Sequence, residues 1–350
     1  MRKALTMMLE SDPAIKVIGT ARDGQEGVEK ARQLKPDLVT MDIEMPRMDG
    51  LTALREIMAS NPMPVMMVAS MTTEGAQATL EALELGAVDF IPKQMSYVSL
   101  DIIKIKDDLL AKIKDIASRR TILMSRFRRL GKASSGRWAK DAATEKGNSP
   151  YSDSPEKRCH PQPIGVIAIG SSTGGPPALQ KVIPKLPRSL PAGIIVAQHM
   201  PPTFTRSLAD RLDGMSRMSV QEAAGGERVE PGTVLIAPGG RQMIVKKRGF
   251  TSTVEVFDAP ADTLYKPCVD VTMLSVAEAY GGSAMGVVLT GMGSNGIDGF
   301  TKIHDQGGVV IAQNEESCVV YGMPRAVIEA EKADQISHID NIANEIASYF

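Results

Sequence analysis

Short runs of almost wholly apolar residues recur along the chain, and they narrow its possible folds more than any other feature. They read DLVTMDI at 37–43, PVMMVAS at 64–70, GVIAI at 165–169, GIIVA at 193–197, TVLIA at 233–237, GVVLT at 286–290 and GVVIA at 308–312. A strand apolar at nearly every position, and not at every second one, is buried on both faces, as central strands of parallel sheets are. Helical patterns alternate with the first runs, over 24–34, 51–60, 73–85 and 100–118, with further short strands expected at 15–21 and 88–91. Strand–helix alternation through short turns implies an α/β fold built on doubly wound parallel sheets.

The pattern is interrupted once. From 119 to 162 a basic helix end gives way to Ser, Gly, Lys, Asp and Pro with no apolar period, which reads as a linker. The expectation is two parallel-sheet domains, 1–118 and 163–350, a division that 350 residues accommodate with a core in each. The RFRRL stretch at 126–130 reads first as a solvated helix end and second as a basic docking site. Forty basic and 41 acidic residues leave a formal net charge of −1, which argues against a general binder of nucleic acid or membrane surfaces. Three cysteines, Cys159, Cys268 and Cys318, are too few and too scattered for a disulfide framework or a zinc site. The first residues lack a signal-peptide pattern and no apolar run reaches the ~20 residues of a bilayer span, so a cytoplasmic location without membrane insertion is expected.

Chemistry concentrates where apolar runs end. Asp42 closes DLVTMDI and Lys93 closes VDFIPK, so both are expected at the carboxyl ends of parallel strands, where open α/β sheets place ligands. In the second half GVIAI runs into Gly170-Ser171-Ser172-Thr173-Gly174-Gly175, which meets the G-x-S-x-G form of a nucleophile turn. On pattern alone a ligand-binding turn stands level with it, whereas a dinucleotide loop fits poorly because G-x-G-x-x-G is unmatched and Pro176-Pro177 follow. Of the four histidines, His199 follows GIIVA directly and is the candidate base; His160 falls in the linker, and His304 and His338 read as surface residues in polar helical contexts. A glycine-rich loop at 289–299, LTGMGSNGIDG, offers backbone N–H groups to an oxyanion. The order of nucleophile, base and loop differs from that of α/β-hydrolases.

The stretches PDLVTMDIEMPRMDG and LELGAVDFIPK resemble response-regulator receivers. That resemblance covers 1 to about 118 and implies a flavodoxin-like fold in which Asp42 accepts a phosphoryl group, Lys93 senses it and Mg²⁺ assists. Three departures accompany it. The first strand and its Mg²⁺-holding acidic pair are absent from this sequence, Ala69 stands at the usual hydroxyl position with Ser70 after it, and Gln94 replaces a proline. A natural start upstream is therefore expected; without that strand the first sheet has an internal gap, and if the chain does begin at Met1, metal-dependent phosphorylation of Asp42 is expected to be badly impaired.

AIGSSTGGPPAL, VAQHMPPTFTRSLADRL, VLIAPGG, VVLTGMGSNGIDG and AQNEESCVVYGMPRAVIEA resemble the catalytic domain of chemotaxis protein-glutamate methylesterases. The resemblance implies Ser172 as nucleophile, His199 as general base and the Met292 backbone N–H as oxyanion donor, with no cofactor. The implied substrates are methylated chemotaxis receptors, with glutamine deamidation in some members. The implied phosphodonor is the chemotaxis histidine kinase. Asn295 occupies the place of the family's triad aspartate, and Asp298, one helical turn on, is a candidate substitute. Gln242 stands where the family often has histidine. The rival reading is a catalytically impaired receptor- and kinase-binding scaffold, with a nucleotide-binding protein behind it.

Overall fold

The computed structural model describes residues 2–93, 101–125, 160–258, 260 and 263–350. Its first sheet is built from β1 (Val39–Asp42), β2 (Val65–Ala69) and β3 (Asp89–Pro92), parallel and in that order. Helices α1 (Arg2–Leu9), α2 (Gly24–Leu34), α3 (Gly50–Ser60), α4 (Thr73–Glu84) and α5 (Asp101–Ser118) accompany it. β2 is buried at every position, as its apolar run predicts. The side chains of Asp23, Asp49 and Thr72 accept backbone N–H groups at the starts of α2, α3 and α4, which is why these helices begin where they do.

The strand expected at 15–21 does not form. The segment is irregular and Ile18 remains 47 % exposed. A strand needs a ladder partner. Between this segment and β1 lies instead a cavity of about 640 Å³, walled by Leu5, Leu9, Val17, Val39, Met41 and Ile113. β1 is consequently a sheet edge. The helical stretch continues beyond α5 over 120–125, with Leu123 buried. The basic stretch at 126–130, Gln94 and Cys159 lie outside the described residues.

The second sheet contains β4 (Val166–Ser171), β5 (Gly193–Gln198), β6 (Ser219–Glu222), β7 (Thr233–Ile236), β10 (Ala284–Val288), β11 (Val309–Gln313) and β12 (Gln335–Ser337). Its seven strands are all parallel, in the order β12-β11-β10-β4-β5-β7-β6. The central strands are the predicted apolar runs; edge strands β6 and β12 are partly exposed and carry no such run. An antiparallel hairpin, β8 (Gln242–Arg248) with β9 (Thr251–Phe257), is likewise new to the structure. The helices here are α6 (Gly175–Val182), α7 (Phe204–Met215), α8 (Val269–Tyr280), α9 (Ile297–Asp305), α10 (Met323–Glu329) and α11 (Ile342–Ala347). His304 is on α9 as expected, but His338 leaves strand β12 and is not on a helix. Among the described residues no helix is long and apolar enough to cross a membrane.

β4 has β5 on one side and β10 on the other, so consecutive connections diverge there and open a crevice at its carboxyl end. The first sheet's layer packs over this half of the molecule. Leu80, Leu83 and Phe90 share one buried apolar cluster with Leu179, Phe204, Leu208 and Leu212. The Phe90 and Phe204 rings stack with centroids 4.5 Å apart, and Glu84 of α4 pairs with Arg211 of α7.

Candidate active site

Strands β4 and β5 run in register with Ser171 opposite Gln198, so Ser172 and His199 leave the sheet side by side. Gln198 ties the two strand ends together: its Oε1 accepts from the Ser171 hydroxyl at 2.6 Å, and its Nε2 donates to the carbonyls of Ser172 and His199 at 3.0 and 2.9 Å. The turn after Ser172 needs Gly174 at φ 75°, a left-handed conformation that glycine adopts without strain. Pro176 and Pro177 then open α6, where a missing N–H costs nothing.

The loop after β10 closes over this turn. Thr290 O accepts the Ser172 N–H at 3.0 Å, so that donor is not available to a ligand. The Thr290 hydroxyl donates to Thr173 O at 2.9 Å. A Cβ at Gly291 would stand 2.9 Å from Ser172 Cβ and would also meet Met323, so only glycine permits this approach. The Met292 N–H, on the same loop, is taken by no other residue among those described.

His199 is held on two sides. Its ring stacks on Tyr265 with centroids 4.3 Å apart and planes 1° from parallel. Its Nε2 lies 2.9 Å from Asn295 Oδ1, and its Nδ1 is buried with no hydrogen-bond partner. An amide oxygen only accepts, so Nε2 carries the proton and Nδ1 holds a free lone pair. Burial pushes the imidazole pKa down to about 4; the Asn295 bond opposes this, while the Lys112 charge adds to it. The ring is therefore a neutral base at neutral pH.

The carboxylate beside Asn295 is Asp270. Asn295 Nδ2 donates to Asp270 Oδ2 at 2.8 Å and lies 3.2 Å from Cys268 Sγ, while its Oδ1 also accepts from the Val269 N–H at 2.8 Å. The helix expected after Gly296 does begin there, but Asp298 on its first turn is exposed to solvent, facing away from this network. Gln242 is buried and clamps the loop bearing Tyr265, donating to Tyr265 O at 2.7 Å and accepting from the Cys268 N–H at 2.8 Å. Sequence reasoning passed over Gln198, Tyr265 and Asp270. The position of Gln198 directly before His199 at the end of an apolar strand was the one available signal.

The first sheet's layer reaches the same turn. The Thr173 hydroxyl donates to Asp89 Oδ2 at 3.0 Å, and Lys112 of α5 lies 3.1 Å from that oxygen. Burial works against the Lys112 charge, but Asp89 and Asp108 outweigh it and raise its pKa. At the opposite end of β3, Lys93 Nζ lies 2.8 Å from Asp42 Oδ1 and 3.0 Å from Glu44 Oε2. Burial lowers the Lys93 pKa, yet its bonds to Asp42 and Glu44 prevail and leave it raised. Ser70 Oγ turns to Glu44 at 3.5 Å and Thr72 at 3.3 Å, while Ala69 is fully buried.

A magnesium ion demands near-octahedral oxygen coordination. The residues present do not fit one. Asp42 and Glu44 both face the Lys93 ammonium, and among the described residues no group of three or more His, Cys, Asp or Glu side chains has metal-binding placement.

Comparison with known proteins agrees with both halves. Residues 167–346 match the family described as CheB methylesterase, and residues 1–102 match the response regulator receiver domain. The chain is 52 % identical over 349 residues to "Protein-glutamate methylesterase/protein-glutamine glutaminase 2" of Nitratidesulfovibrio vulgaris, covering 99 % of this chain and 95 % of that protein. It is 46 % identical over 350 residues to a protein-glutamate methylesterase/protein-glutamine glutaminase of Lawsonia intracellularis, with the same coverage of 99 % and 95 %. The crystal structure of the Thermotoga maritima CheB methylesterase catalytic domain superposes with a TM-score of 0.52 at 42 % identity, covering 53 % of this chain and 99 % of that one. With a receiver-type sheet at its start and the serine–histidine crevice in its second sheet, the chain belongs to the CheB methylesterase family.

Proposed function

We propose that this chain hydrolyses glutamate γ-methyl esters on chemotaxis receptors, and glutamine side-chain amides, by serine acyl transfer. The observation that carries the reading is the register of β4 and β5, which sets Ser172 beside a largely buried, neutral His199 whose Nε2 is occupied and whose Nδ1 is free. In this mechanism His199 Nδ1 takes the Ser172 hydroxyl proton as Ser172 Oγ attacks the ester carbonyl. The carbonyl oxygen gathers negative charge and settles on the Met292 N–H, with the N–H of Thr173 as second donor. The imidazolium returns its proton to the leaving methoxide and methanol departs. Water, deprotonated by Nδ1, then releases the glutamate. The names of the relatives support both ester and amide as substrates.

We assign 1–118 to the regulatory unit, 119–162 to the connection and 163–350 to the esterase. Asp42 is the proposed phosphoryl acceptor, a histidine kinase the donor and Lys93 the group that responds. In the unmodified state Asp89 and Phe90 lie against the esterase half, so phosphorylation would act by shifting the population away from that arrangement.

The test is methanol release from methylated receptor membranes by the full chain and by its Ser172→Ala variant. Release that disappears in Ser172→Ala supports the esterase. Release equal in both, or absent in both, would leave receptor binding without turnover as the protein's role.

A further inference from the structure

An asparagine beside a catalytic histidine presents a problem of direction. Its oxygen and its NH₂ have similar shapes, and an NH₂ turned toward the ring would force the wrong tautomer. Here two neighbours settle the direction. The Val269 N–H has only a hydrogen to offer, and it meets Asn295 Oδ1 at 2.8 Å. A carboxylate accepts only, and Asp270 Oδ2 takes the Asn295 Nδ2 at 2.8 Å. Asp270 is itself fixed, because its Oδ1 accepts the Gly299 N–H of α9 at 3.1 Å. Asn295 thus bonds the first residue of α8, while Asp270, in the first turn of α8, bonds back to the first turn of α9. The two helix starts lock each other.

We infer that Asp270 is a positioning residue for catalysis: it orients Asn295 so that the amide oxygen faces His199 Nε2, and it supplies from behind the amide the negative charge that the triad position itself lacks. His199 then keeps its proton on Nε2, and Nδ1 remains the lone-pair nitrogen that receives the serine proton. When the imidazolium forms, its Nε2–H continues to bond Asn295 Oδ1, which the Asp270 carboxylate polarises through the amide. No proton passes to Asn295 or to Asp270. The loss expected from a bare asparagine, about 10⁴ in turnover in the serine-protease template, is accordingly avoided in part. The inference rests on the esterase reading above.

The experiment compares methanol release by the full chain with that of Asp270→Asn, Asn295→Asp, the double variant Asp270→Asn/Asn295→Asp, and Ser172→Ala. In Asp270→Asn the amide at 295 loses its anchor, and kcat is expected to fall by about 10²-fold, the scale of a small misplacement, with KM unchanged. In Asn295→Asp two carboxylates confront each other at hydrogen-bond distance and share a proton, so the gain from an inner carboxylate is blunted. The double variant exchanges the two groups, sets the carboxylate directly on His199 with an amide donating to it, and should regain at least the parent kcat. Nitrogen NMR of the histidine ring should show protonated Nε2 in the parent and in the double variant, and a mixture in Asp270→Asn. A kcat within twofold of the parent in Asp270→Asn, with an unchanged ring tautomer, overturns the inference while Ser172→Ala remains inactive. A double variant no better than either single variant overturns it as well, and does so even if Asp270→Asn fails to fold. If Ser172→Ala keeps its activity, the esterase reading itself has failed.

Discussion

His199 takes a proton reluctantly, because its ring is largely buried, packed against Tyr265 and set near the charged Lys112. Its pKa of about 4 lies below the ordinary 6.5. An exposed histidine base would lose most of its activity between pH 7 and about 5.5. Here the acid limb of kcat/KM for methanol release should fall near pH 4, read from rates across the pH range. The same displacement carries a stability consequence. The unfolded chain protonates this histidine below about 6.5 while the folded one does not, so the stabilisation present above that pH is lost as pH falls toward 4. Gly291 sets a second limit. In Gly291→Ala the new methyl would press on Ser172 Cβ at 2.9 Å, with strain of about 1–3 kcal/mol and a displaced serine. Thermal unfolding should report the strain, and a fall in kcat larger than any fall in melting temperature explains should report the displacement.

Elements differ in how much of themselves their residues disclose. β2, β4, β5, β10 and β11 are buried along their full length, so apolar character at every position exposed them in the sequence. β6 and β12 are edge strands with mixed burial, and β8–β9 is a hairpin whose outer half is solvated, so no comparable signal marked them. The serine, the histidine and the loop were legible because each stands where a buried strand ends. Asp270 was not, since its importance arises from a contact with Asn295 across 25 residues of chain. The element with most to test is the layer of α4 and β3 over the esterase half. Truncating Phe90→Ala removes its stack on Phe204 and costs about 3–5 kcal/mol of packing. Methanol release measured without any phosphodonor should rise as this layer loosens. An unchanged rate in a folded variant would mean that the layer does not limit access.

At the scale of the whole molecule, the two sheets are unequally packed. The central strands of the seven-stranded sheet are buried along their length, whereas β1 of the first sheet borders a cavity of about 640 Å³. Low local packing opens first. Amide hydrogen exchange should accordingly be fastest in β1, slower in β2 and slowest in β4, β5 and β10, and equal protection of β1 and β2 would show that the cavity carries no such penalty. β3 escapes this weakness, since it is buried and paired with β2 along its length. One of its ends holds Asp89, bound to Thr173 next to Ser172, and the other leads into Lys93, bound to Asp42. Four residues of strand span roughly 13 Å. Packed interiors resist compression, so a displacement of Lys93 would be carried to Asp89 much as pushing one end of a latch bolt moves the other. Communication between the two ends would then call for no relay of side chains through the core, only a short rigid bar with a charge at each end.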